Sequence, residues 1–260
     1  MAKYLFNFNI VLRQQMAYRG DFYARLVGIL LRMTVYFYLW KVAGSTAPDL
    51  DARQLTTYSV LGILLSVALF SNASYKMGSA LRDGSIIIRL LRPVDLQLTM
   101  MIESLGESLY RIITSGLPLF GIACLLFQVQ APASAGHALA FLFSAACGAL
   151  VAAAFSYLMG VLTFWTSNDW GLTVFQRVFI QSFSGALVPL TLLPGWLHQA
   201  LNWLPFQAMA HQPIMIYQGQ FTLLQSFASI AGQLAWAAGL ILLGRALAAG
   251  AVAQLTFQGG

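Results

Sequence analysis

The chain has 260 residues, 59% of them hydrophobic and only 8% charged, with a formal net charge of +6 and a mean hydropathy of +0.73. Soluble domains run at ~45 to 50% apolar, so this composition excludes an ordinary water-soluble protein and points to an integral membrane protein. Charge is also absent over whole stretches: no Asp, Glu, Lys or Arg occurs at 112–168 or at 178–244, which a solvated surface does not tolerate.

At the N-terminal end, Tyr4, Leu5, Phe8, Val11, Leu12 and Gln15 fall on one helical face, with Lys3, Asn7, Arg13 and Gln14 mostly on the other. This spacing predicts an amphipathic helix over 1–21 lying on the membrane surface; a soluble helix packed on the protein is the alternative. The stretch has no continuous apolar core and no small-residue cleavage site, so no signal peptide is expected. A helix needs about 20 apolar residues to cross ~30 Å of hydrocarbon, and six windows meet that requirement: 23–44, 55–74, 108–128, 138–166, 172–193 and 225–248. The expected fold is an all-α integral membrane protein with six transmembrane helices in a single domain over 1–260.

Basic residues orient the spans. With the N-terminus inside, the inner side collects Lys3, Arg13, Arg19, Arg25, Lys76, Arg82, Arg89, Arg92, Arg111, Arg177 and Arg245, and the outer side only Lys41 and Arg53. Both termini are therefore expected in the cytoplasm. Arg32, nearer the inner end of the first span, is expected to snorkel inward. Basic residues spread along membrane edges give no support to a nucleic-acid partner.

Between the second and third spans lies a charged cytoplasmic loop, 75–107. Within it, LRDGSIIIRLLRPVDLQ at 81–97 places three arginines and two aspartates around an isoleucine run. A segment from Ser79 to Arg92, ended by Pro93, is expected to form a short helix. Its apolar residues suit a protein groove and its arginines suit acidic groups at the rim, or else lipid phosphates; Asp83 and Asp95 are expected to pair with Arg82, Arg89 or Arg92. In the fourth span, Ser144, Gly148, Ala152, Ser156 and Gly160 recur every four residues and predict a close helix contact, in the same chain or in another protomer. The outer segment 194–224 has no formal charge and carries Pro194, Pro205 and Pro213 among several aromatics, which suits a short interfacial helix, a re-entrant hairpin or an ordinary interfacial loop.

Catalytic patterns are missing. There is no G-x-x-x-x-G-K-[ST], G-x-S-x-G, H-E-x-x-H or C-x-x-C. Cys124 and Cys147 read as apolar filler, and His137, His198 and His211 have no acidic partner nearby in sequence, so no metal is expected. Every Asp and Glu falls near a predicted membrane edge or in a loop, which disfavours an ion-coupled carrier.

Gly84, followed after five residues by Leu90-Leu91-Arg92-Pro93-Val94, resembles the motif of ABC-2-type exporter permeases, in their subgroup of small six-span subunits. The outer stretch is similar to that subgroup as well, through Pro189-Leu190, Leu193-Pro194-Gly195-Trp196-Leu197, Leu204-Pro205-Phe206 and Tyr217-x-Gly219. The likeness covers most of the chain. It departs where these permeases often read Gly-Glu-Leu-Asp and this chain has Gly84-Ser85-Ile86-Ile87.

The resemblance implies a permease subunit of an ATP-driven exporter in a bacterial inner membrane, working by alternating access with a second permease, the same or homologous. It implies two separate ATP-binding subunits that hold ATP and Mg, with no cofactor in this chain. It also implies a coupling helix in the loop, with Arg82, Asp83, Gly84, Ile87, Arg89, Leu91, Arg92 and Pro93 engaging the ATPase. Phe70, Tyr157, Trp165, Phe175 and Phe183 suit an amphipathic or lipid-like substrate and are equally what membrane helices contain. A membrane-embedded enzyme or a non-transporting scaffold is the alternative, although an enzyme needs polar side chains clustered at one depth.

Overall fold

In the computed structural model, residues 19–47, 50–91, 93–166 and 169–253 are described. The helix expected over 1–21 lies almost wholly outside them, as does Arg92. The described residues form helices and connecting turns, with no strand among them. In chain order they are α1 (Arg19–Thr46), α2 (Ala52–Leu69), α3 (Ala73–Arg82), α4 (Ile86–Leu91), α5 (Leu96–Arg111), α6 (Leu117–Leu126), α7 (Ala135–Thr166), α8 (Asp169–Phe183), α9 (Gly195–Asn202), α10 (His211–Tyr217) and α11 (Leu223–Ala253).

Among the described residues, five stretches are long and apolar enough to cross a membrane: Tyr23–Thr46, Ala52–Arg82, Leu96–Leu126, Ala135–Thr166 and Leu223–Ala251. The breaks inside them follow from local chemistry. Pro118 has no amide hydrogen and its ring crowds the carbonyl four residues back; a π-helical turn over Ile112–Gly116 absorbs that conflict and joins α5 to α6. Asp51 caps α2 by accepting from the amides of Arg53 and Gln54 at 2.9 and 3.1 Å, and Asp95 caps α5 through the amide of Leu98 at 2.8 Å.

Two expectations need correction. The stretch 75–107 is helical almost throughout, in α3, α4 and α5, and α3 is packed into the protein: Ala73, Met77 and Ala80 are buried in the main core with Val151, Ala154 and Tyr157 of α7. The window 172–193 is not one continuous helix. α8 ends at Phe183 after 15 residues, about 22 Å of rise, and the chain continues through bends and a single 3-10 turn at Leu190–Leu192.

α7 is the central helix, packed on α11, α3, α10, α5 and α8. A second core of Ile29, Met33, Val60, Ile63, Leu119 and Ala123 joins α1, α2 and α6. Contacts fix two ends of the bundle. At one, Arg82 of α3 meets Asp169 at the start of α8, and Arg245 near the end of α11 meets Asp95 at the start of α5. At the other, Ser184, just past α8, accepts from the amide of His211 at 2.9 Å, and Ala133 bonds Tyr217 beside the start of α11. α8 thus carries the chain from the first end toward the second.

Candidate functional site

The first end concentrates the charged groups. Between α2 and α3 the helix breaks at Phe70–Asn72, leaving carbonyls without intrahelical partners. α5 supplies those partners: Arg111 donates to the carbonyls of Phe70 and Val67, Ser108 donates to Ala68, and Ser104 lies 2.9 Å from Ser71. From α8, Gln176 donates to Ser156 at 2.7 Å and to the Ser71 carbonyl at 3.5 Å. Glu107 holds Arg111 at 2.8 Å and also pairs with Lys76 of α3, which reaches Glu103 at 3.5 Å. Glu107 and Arg111 are 2% and 4% exposed. Sequence reasoning placed Glu107 in a loop; the spacing Glu103, Glu107, Arg111, which stacks all three on one helical face, was the signal that could have found this network.

α3 leads from the network to the turn read as a coupling element. Asp83 accepts from the amide of Ser85 at 2.9 Å; the Ser85 side chain first, and then this amide, hold its carboxyl below the usual range, and Gly84 takes a φ of +73° that L side chains rarely adopt. The expected helix over Ser79–Arg92 is therefore two helices, broken at this turn. Arg82 pairs with Asp169, and Gly78 leaves the room Asp169 needs, since a Cβ there would collide with the Asp169 side chain. Among the described residues the expected pairing inside the loop gives way to other partners: Asp83 serves as a turn cap, Asp95 pairs with Arg245 and Arg82 reaches α8, while Arg92 lies outside them.

Beyond the turn, α4 buries Ile86 and exposes Ile88, with Ile87 39% and Leu91 79% exposed; Arg89 is half-buried and Pro93 exposed. This is a small apolar surface at the tip of an element braced by Arg82–Asp169.

The small-residue stripe of α7 packs on four different elements of the same chain. Ser144 bonds Gln233 of α11, and a Cβ on Gly148 would stand 2.7 Å from the Met209 carbonyl. Ala152 is buried in the main core. Ser156 accepts from Gln176 of α8, and Gly160 faces Met77 and Ala73 of α3.

At the opposite end, 184–217 folds back into the bundle, with Met209, Ala210, Ile214 and Ile216 fully buried. Its anchors are neutral: Tyr58 Oη lies 2.7 Å from His211 Nδ1, Gln233 donates to the Ala208 carbonyl at 2.7 Å, and Tyr217 donates to the Gln130 carbonyl at 2.9 Å. Burial, with the neighbouring His198, pushes the His211 imidazole down to about 4. Trp196 and Trp203 remain exposed.

A family model described as ABC-2 family transporter protein matches residues 23–259, which takes in every long span, the α3–α4 turn and the outer segment. No curated protein matches the chain.

Proposed function

The chain belongs to the ABC-2 family of transporter proteins and is a multi-pass membrane protein; on that premise we propose that it is the permease subunit of an ATP-driven exporter. It works with a second permease copy or homologue and with two ATP-binding subunits that hold the ATP and Mg. α8 and the chain up to Leu192 make the remaining crossing, giving six spans with both termini on the cytoplasmic side of a bacterial inner membrane. The two permeases move an amphipathic or lipid-like substrate by alternating access.

The observation that carries the reading is the tip of α4. Ile87, Ile88 and Leu91 present an apolar surface to solvent on a helix joined rigidly, through Gly84 and the Arg82–Asp169 pair, to the break at Phe70–Asn72 and its buried charges. A push on α4 has a mechanical route to α2, α5 and α8.

Copurification tests it. Ile87→Asp and Leu91→Asp place an unpaired charge in the contact, at a cost of several kcal/mol, and the ATPase should be lost on purification; an ATPase retained and fully coupled in both variants overturns the reading. Orientation is checked separately, in a background without Cys124 and Cys147: a cysteine at exposed Trp203 should react with an impermeant thiol reagent outside the cell, and one at Asp83 should not.

A further inference from the structure

A cavity of about 540 Å³ opens at the charged end between α1, α2, α5 and α8, and four arginines line it: Arg25 and Arg32 of α1, Arg111 of α5 and Arg177 of α8. Arg111 is neutralised by Glu107. Arg32 donates to Ser66 at 3.0 Å and has a buried Nε without a partner; the Arg177 guanidinium lies over the Phe70 ring at 4.4 Å. Among the described residues, neither Arg32 nor Arg177 makes an ion pair.

The chain has little left to neutralise them. Asp51 caps α2, Asp83 caps the turn, Asp95 pairs with Arg245, Glu103 and Glu107 hold Lys76 and Arg111, and Asp169 holds Arg82. Asp21 stands eleven residues before Arg32, about 16 Å away along α1, Asp49 lies outside the described residues, and residues 1–18 contain no acid. Charged groups at membrane depth are retained where they meet a counter-charge. Among the described residues none supplies that counter-charge to Arg32 or Arg177, which leaves the place open to a group from outside the chain.

The cavity is also flanked by lipid-facing surface. Arg25, Gly28 and Arg32 share one face of α1, and the exposed Val27, Leu31 and Val35 run beside it; on α8, Val174, Phe175 and Val178 are exposed next to Arg177. Gly28 lines the cavity, and a Cβ there would meet nothing within 4 Å, so a larger side chain at that position finds open space. We propose that this cavity binds the net-anionic phosphate headgroup of a membrane-resident amphiphile, with Arg32 and Arg177 contacting the phosphate and the acyl chains lying along the apolar faces of α1 and α8. A volume of this size falls within the range of small-molecule pockets and exceeds what one inorganic phosphate fills. This deepens the exporter reading by naming a substrate class, and it rests on that reading only for the fate of the bound molecule.

Binding is measured on the purified full chain without its ATPase, so failure here leaves the copurification test standing. The probe is fluorescent phosphatidic acid, with equally labelled phosphatidylcholine as the neutral-headgroup control and inorganic phosphate and pyrophosphate as competitors. Phosphatidic acid should bind saturably, and Arg32→Gln and Arg177→Gln should each weaken it about tenfold, since a charge-assisted hydrogen bond is removed; glutamine at 32 can still donate to Ser66, which protects the fold. Gly28→Phe keeps every charge and favours the helix, yet should weaken binding as much by filling the cavity. Unchanged binding in all three variants, equal binding of phosphatidylcholine, or loss in Arg89→Gln with retention in Arg32→Gln would overturn the proposal. Displacement by inorganic phosphate at the concentration of the lipid itself would overturn its membrane-resident part and leave a soluble anion as the occupant.

Discussion

The two ends of the bundle are held by different chemistry. At the α3–α4 end, Lys76, Arg82, Glu103, Glu107, Arg111, Asp169 and Arg177 tie α3, α5 and α8 around a broken helix. At the other, the segment 184–222 holds no formal charge, and its anchors are hydroxyl, imidazole and amide groups, several bonded to backbone carbonyls. Ion pairs with one wet partner, such as Lys76 and Arg82, can re-form in a shifted register because water takes up a released charge. Neutral bonds to backbone carbonyls inside a packed core leave an orphaned carbonyl if they slip, and that costs ~1–3 kcal/mol each. At the charged end only the pairs with a wet partner can re-form in this way; its bonds from Ser108 and Arg111 to backbone carbonyls resist slipping as those of the neutral end do.

The largest expected effect tests whether the charges at the first end hold structure at all. Glu107→Ala strands Arg111 against carbonyls alone and leaves Lys76 only its longer contact with Glu103. Breaking a buried pair from one side costs about 3–5 kcal/mol. Thermal unfolding in detergent should show a loss of that order, and Glu107→Gln, which still accepts a hydrogen bond, a smaller one. A cost below ~1 kcal/mol would put this pair in the class of surface ion pairs and erase the contrast.

The neutral end should fail with acid. His211 faces Tyr58 and His198, and its value drops from 6.5 in the unfolded chain to about 4 when folded. As pH falls below 6.5 the unfolded state takes up the proton first, so the stability present above that point is lost progressively down to about pH 4, some 3 kcal/mol in all. Unfolding followed from pH 7.5 to 4 in the wild type and in His211→Asn isolates this from titrating carboxylates: the variant should lack the extra slope. Parallel curves would show that His211 stays wet.

What the sequence made legible divides along the same line. Apolar length located α1, α7 and α11 closely, because span length is set by the bilayer and needs no knowledge of neighbours. The turn at Gly84 was missed, being read as part of one helix over Ser79–Arg92, although a glycine beside Asp83 carries a local signal for it. The stripe from Ser144 to Gly160 announced a close contact but not that it serves four partners, since small residues say how near a neighbour comes and not which one. Arg82–Asp169 spans 87 residues and leaves no local trace. The fifth window failed because apolar content reads alike in a helix and in the buried, irregular chain after Phe183, where Gly185 with a φ of +80° ends the helical path.

The smallest expected effect sharpens the contrast from within the charged end. Arg245 meets Asp95 at 3.3 Å, with side chains 53% and 39% exposed, and donates to Gln97 at 3.3 Å. Gln97 is buried and donates to the Ile241 carbonyl at 3.0 Å, so the join between α5 and α11 survives without the arginine. An exposed pair of this kind contributes ~0 to 1 kcal/mol, and Arg245→Gln should cost no more. Asp95→Ala should cost more, about 0.5–2 kcal/mol, because it also removes the cap on the Leu98 amide. Molar salt shortens the screening length to about 3 Å and should cancel the Arg245 difference while leaving the Asp95 difference largely intact. A salt-insensitive loss above ~2 kcal/mol in Arg245→Gln would place that residue with Glu107 among the structural charges; α11 would then be clamped to α5 at the charged end.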